Sequence, residues 1–221
     1  MTDAAWDPLR QELARWAQAG RKSVFWLRDD DAVEPTPALD RILSLTERFR
    51  VPLLLASIPA HATQALAERL KSEDRVAVAV HGWSHDNHAP PAQKKQELGS
   101  HRPGSAVLDD LRRGLIRIRQ LFGEQAVPLL VPPWNRIDPA LLPALPSLGF
   151  QALSVYGPPK PAPLVVINST VDIMDWHGAR GCLPTHVLVE LIVADDDVAL
   201  YEDLEFYAWL GADGDDADAG G

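Results

Sequence analysis

Two clusters in this sequence carry residue types that bind metals and move protons. One is Asp29-Asp30-Asp31; the other is the pair His81 and His85 in His81-Gly82-Trp83-Ser84-His85. Three consecutive carboxylates repel one another unless a cation or an arginine offsets them. Two imidazoles four residues apart can converge on a shared ion from one helical turn or one loop. Two histidines and a carboxylate, with positions left open for water, form a recurring catalytic zinc set, and the same donors accept Co, Fe or Mn. Side chains alternate along extended chain, so Asp29 and Asp31 are expected on one side and Asp30 on the other. A bare acidic run is ordinarily a solvated turn. Asp195-Asp196-Asp197, with no histidine near it, is read that way, and His61 and His101 have no comparable context. His88 sits in a polar loop just beyond the histidine pair and is an alternative ligand. A third cluster, Val171-Asp172-Ile173-Met174-Asp175-Trp176, offers either a strand end with a buried tryptophan or a carboxylate that orients a catalytic histidine.

The elements that must position these groups are legible as alternating apolar runs and helical patterns. Strands are expected at residues 24–27, 51–58, 76–80, 127–131, 152–155 and 164–167, and helices at 38–49, 63–70, 105–122 and 140–148. Continuous Val- and Leu-rich runs indicate strands buried on both faces, and strand–helix alternation indicates a parallel sheet. A barrel and a doubly wound open sheet both satisfy this pattern, and both place their chemistry at the carboxyl ends of the strands. The Asp cluster follows the first expected strand and His81 directly follows the third.

With 221 residues and 46% hydrophobic composition, the chain can bury one sizeable core in one or two domains. A net charge of −10 argues against a nucleic-acid partner and against an anionic membrane surface. No apolar run reaches the ~18 residues of a membrane span, and the N-terminus lacks an uninterrupted apolar h-region. It reads as an amphipathic helix with Leu9, Leu13, Trp16 and Ala17 on one face, so a cytoplasmic location is expected. The single cysteine, Cys182, excludes an intrachain disulfide and is expected as a small buried hydrophobe. No glycine-rich phosphate loop follows any strand. Residues 211–221 (GADGDDADAGG) are expected to form a disordered acidic tail. Of the seven tryptophans, Trp83 and Trp134 lie within motifs and could line a sugar cleft, whereas Trp6, Trp16 and Trp209 are expected to bury helices.

Taken in order, these pieces resemble the polysaccharide deacetylase family (carbohydrate esterase family four). Its pattern is an Asp-Asp pair after the first strand, H-S/T-x-x-H, an Arg-x-Pro segment, an Asp-x-x-Asp-Trp-like segment and a late Leu-x-x-His. The matches are Asp29-Asp30, His81–His85, Val131-Pro132-Pro133-Trp134 and 172–176, within a resemblance spanning about residues 23–177. The resemblance implies a distorted seven-stranded (β/α) barrel, with residues 1–210 as one catalytic domain. It implies Asp29 as general base and Asp30, His81 and His85 as ligands of a divalent metal, zinc foremost. The implied reaction is hydrolysis of an acetyl group on an acetylated sugar or small amide, with Trp83, Pro133 and Trp134 toward the substrate. Three positions depart from the pattern. The third-motif arginine, which steadies the base, is replaced by Val131; Arg28 or, as the better candidate, Arg136 takes over its charge. Asp31 stands where glycine is usual. The late histidine that protonates the leaving amine is either His186, in Leu183-Pro184-Thr185-His186, or His177, with Asp175 behind it. Other readings are a cyclic amide or ureide hydrolase on the same barrel and a degenerate barrel that binds sugar or metal without turnover.

Overall fold

The computed structural model describes residues 4–176, 178 and 181–194. A 3₁₀ turn (Ala4–Trp6) leads into α1 (Asp7–Gln18), and strands and helices then alternate. They run β1 (Leu27–Ala32), α2 (Pro37–Phe49), β2 (Leu53–Ser57), α3 (Gln64–Leu70), β3 (Val76–Val80), α4 (Gly104–Phe122) and β4 (Ala126–Leu130). After these come α5 (Leu145–Leu148), β5 (Ala152–Leu153), β6 (Val165–Val166) and α6 (Thr185–Ala194). The six strands form one parallel sheet in sequence order, β1 to β6.

Local chemistry explains the boundaries. Thr36 caps α2 by accepting from the Leu39 N–H, with Pro37 in the first turn, and Arg50 ends the helix in the left-handed region. Thr63 caps α3 in the same way, accepting from the Leu66 N–H. β2 and β3 are buried along their whole length, as continuous apolar strands covered on both faces must be. Leu53, Leu55, Val78 and Val80 face the helices and pack with Leu43, Leu66, Leu111 and Ile118. Leu54, Ala56, Ala77 and Ala79 face the opposite side with Leu129, Val131 and Ile167.

Several expectations are corrected. The first strand begins at Leu27, not Val24, so the three aspartates lie inside β1. The expected helix at 140–148 is a 3₁₀ turn (Pro139–Ala144) followed by the single turn of α5, because Pro143 and Pro146 remove helical donors. Among the described residues the sheet has six strands, with β1 and β6 at its ends and no ladder joining them; a seventh strand and closure into a barrel are not seen there. Helix α6, which carries a Leu- and Val-rich stretch, docks on α1. Cys182 is exposed, contrary to expectation. No described helix is long and apolar enough to cross a membrane. Asp195–Asp197, His177, Trp209 and the acidic tail lie outside the described residues.

Candidate active site

The aspartates are arranged by an irregularity in β1. Asp29 pairs with Leu55 and Ala32 with Ser57, so β1 spends three steps where β2 spends two. The extra residue is a bulge, and Asp31 within it has φ +72°. Aspartate tolerates this left-handed conformation better than most residues. The bulge breaks simple alternation and turns the Asp31 carboxylate toward β3.

His81 follows β3 directly, and its backbone N–H still donates to Ser57 O at 2.9 Å, extending the ladder by one step. Its imidazole is buried. Nδ1 lies 2.9 Å from Val131 O; a carbonyl can only accept, so Nδ1 carries the proton. Nε2 then points elsewhere, and it lies 3.1 Å from Asp31 Oδ1. His85 Nε2 lies 3.3 Å from that same oxygen. Glycine at 82 (φ +61°) and the left-handed His85 (φ +61°) bend the loop so that both rings converge. In the neutral His81 tautomer, a nitrogen lone pair faces a carboxylate lone pair. That contact is favourable only with a proton or a cation between them, and a single cation serves both rings at once. The donor atoms of Asp31, His81 and His85 all lie within 4.8 Å of one another, a fit to one metal ion with three protein ligands. His81 foremost, with His85 adding to it and burial opposing, holds the Asp31 carboxyl below its ordinary range. The Asp31 side chain is 60% exposed, which leaves the far side of this centre open to solvent.

The other side of the cluster belongs to Arg28. Its guanidinium is only 8% exposed and is surrounded by acceptors. Nη1 donates to Ser154 Oγ (3.0 Å) and Val155 O (3.2 Å); Nη2 donates to Asn135 Oδ1 (2.7 Å) and Asp30 Oδ2 (3.2 Å). Asp30 Oδ1 is 3.1 Å from Arg28 Nε, close enough for charge pairing but off the N–H direction. It is therefore buried without a hydrogen-bond donor. The Asp29 carboxylate, one residue earlier, makes no hydrogen bond or ion pair among the described residues. Burial first, then the charges of Asp30 and Asp31, push its carboxyl up to about 6.

The segment after β4 completes the site. Trp134 and Asn135 have φ +55° and +56°, so two consecutive non-glycine residues stand in the left-handed region. Such strain persists only where the surroundings over-determine it. Here the conformation places Trp134 against His85, with ring centroids 4.2 Å apart, and Asn135 on Arg28. Pro133 is buried against Gly82. Trp83 carries the Arg113 guanidinium 4.3 Å above its ring.

The structure thus brings His81 and His85 together with Asp31, and pairs Asp30 with Arg28 instead. The ligand set that the resemblance implied, with Asp30, is shifted by one residue in this arrangement, because the bulge re-aims Asp31. Arg136 does not reach the aspartates among the described contacts; it donates from Nη1 to Lys95 O at 2.8 Å. Arg28, the lesser expectation, holds the position beside Asp30. His186 is exposed at the start of α6, on the helix that packs against α1. Asp175 accepts from the Gly178 N–H at 2.8 Å, within its own turn. His88 is not among the converging donors. Asn135, Ser154 and Glu97, described below, were not expected: an asparagine, a serine and a lone glutamate carry no pattern recognisable without the fold.

No family model matches the chain, and no curated protein matches it. Solved structures do. A de-N-acetylase from Aggregatibacter actinomycetemcomitans is 13% identical over 75% of this chain and 80% of the other, with TM-score 0.53. The deacetylase PplD of Streptococcus pyogenes, in complex with acetate, is 11% identical over 72% and 70%, with TM-score 0.52. The BpsB deacetylase domain from Bordetella bronchiseptica is 13% identical over 72% and 84%, with TM-score 0.50. At these identities the likeness concerns the fold, and it matches the resemblance read from the motifs: the chain has the α/β fold of these deacetylases.

Proposed function

We propose that the chain is a metal-dependent deacetylase, a divergent member of the polysaccharide deacetylase family. Its substrate on this reading is an N-acetylated sugar or related small amide. One observation carries the reading: two imidazole Nε2 atoms meet one Asp31 oxygen where β1 and β3, the parallel strands on either side of β2, reach their carboxyl ends. Asp31, His81 and His85 would hold a divalent cation, zinc foremost. Bound there, it would supply Lewis acidity toward an acyl carbonyl and toward water.

The chain's own groups account for the rest. Asp30 is the proposed base. Arg28 pairs with it and fixes its orientation, the role that the resemblance gives to the third-motif arginine. Its Oδ1, buried beside the Arg28 guanidinium and without a hydrogen-bond donor among the described residues, is the oxygen that would take a proton from attacking water. Asp29 is the competing base, since its carboxyl lies in the same strand and carries no partner. Trp134, beside His85, supplies a flat face for a pyranose ring. The proton for the leaving amine is assigned to one of the two late histidines, His177 or His186, as the resemblance implies. A second reading, binding without turnover, draws on the exposure of His186, on the helix that packs against α1.

The test combines metal analysis of purified protein with acetate release from chitooligosaccharides and small acetylated amines, with and without chelator. Stoichiometric metal together with chelator-sensitive release is the expected result. Metal without release on any acetylated substrate favours the binding module, and absence of metal from a zinc-supplemented preparation defeats the reading.

A further inference from the structure

Glu97 lies in the long connection between β3 and α4 and is only 1% exposed, yet no arginine, lysine or histidine pairs with it among the described residues. Burying a carboxylate without a counter-charge is costly unless it is well hydrogen-bonded. Its Oε1 accepts from the backbone N–H groups of Trp83 (3.1 Å) and Ser84 (2.9 Å), with Ser84 Oγ 3.4 Å away. Two successive backbone N–H groups aimed at one point form an anion-binding concavity, and here a carboxylate of the same chain fills it. Oε2 is buried without a partner and rests against Gly82. A Cβ at position 82 would stand 2.0 Å from Oε2 and 2.7 Å from Pro133 Cγ. The carboxylate therefore sits in the crook of the loop between His81 and His85.

Glu97 is itself tied down on both sides. Gln96 donates its N–H to Asn87 Oδ1 at 2.9 Å and accepts from the His88 N–H at 3.1 Å. Leu98 accepts from the Asp138 N–H at 2.8 Å. The loop it grips turns through the left-handed region at Gly82, where glycine does so freely, and at His85, where a side-chain-bearing residue is held there at a cost. We propose that Glu97 is a positioning residue for the metal centre: by accepting from Trp83 and Ser84 it holds His85 facing Asp31 before any ion arrives. The inference rests on the metal reading above.

The experiment strips the full chain with chelator and titrates zinc against a competing indicator, alongside circular dichroism and thermal melting of the metal-free protein. Glu97→Ala is expected to weaken zinc binding about 10- to 100-fold, as loss of a group that orients a ligand does, with the fold retained. Glu97→Gln keeps an acceptor oxygen for both N–H groups and is expected to bind zinc within about threefold of wild type. Zinc affinity unchanged in Glu97→Ala overturns the proposal, as does a Gln variant as weak as the Ala variant. Should the Ala variant fail to fold, Glu97→Asp replaces it: one methylene short, it is expected to weaken zinc binding, and unchanged affinity overturns the proposal. Wild-type protein that binds no zinc defeats the metal reading itself, whereas zinc bound equally by wild type and the folded variant defeats this inference alone.

Discussion

Asp30 and Asp31 are neighbours in sequence and occupy opposite surroundings. Asp31 is exposed and faces two imidazole nitrogens. Asp30 is half-buried and faces a guanidinium that is itself held by Asn135, Ser154 and Val155. One side of the cluster gathers the donor set that the proposed metal would occupy; the other has its cation built in. A single bulge separates them, and it allows consecutive carboxylates to take different work without repelling each other into neutrality.

The sharpest way to break this comparison is to delete each side. His81→Ala or Asp31→Asn is expected to abolish stoichiometric zinc and bring acetate release to background, checked by metal analysis and an acetate assay. Asp30→Asn is expected to keep its zinc and lose about 10²- to 10⁴-fold in kcat. The control is Asp29→Asn, expected to fall less than about tenfold. If the two Asn variants exchange these results, the base is Asp29 and the arginine-held carboxylate is structural.

Arg28→Met removes the cation on the built-in side and leaves Asp30 and Asn135 without their donor. A loss of about 3–5 kcal/mol in urea unfolding is expected, as for any broken buried pair. Arg28→Lys should recover little of it, because a single ammonium cannot span Ser154, Asn135 and Asp30 as the guanidinium fork does. Asn135→Ala removes one hydrogen bond to a buried charge and is expected to cost about 1.5–3 kcal/mol in the same measurement.

The smallest effect concerns pH. The Asp29 carboxyl has an ordinary value of 3.8 and is pushed up to about 6 in the fold, mainly by burial. Between those values the folded chain holds a proton that the unfolded chain has released, so stability falls as pH rises through this window. Melting temperatures of chelated wild type should therefore decline from about pH 4 to about pH 7 relative to Asp29→Asn. A parallel pair of curves would show that Asp29 is not desolvated.

Much of the framework was legible in advance. β3 and its junction with His81 fall where the VAVAV run places them, and α4 begins one residue from its expected start. Continuous apolar runs can satisfy themselves only as strands covered on both sides, so their pattern survives without tertiary information. The weakest expectations lay where proline or short pairings decide the outcome, as at 139–148 and in the two-residue strands β5 and β6.

For the site, residue types and spacing by themselves determined that histidines and aspartates would meet at strand ends, because parallel strands carry their carboxyl ends to one edge of the sheet. Only the tertiary structure decided which aspartate meets them. A bulge is a mismatch between two strands, one step more in β1 than in β2, and neither strand's sequence contains it alone. Asp30 apart, the partners of Arg28 and Glu97 were hidden for the same reason: they lie 13 to 127 residues away along the chain, and only packing makes them neighbours.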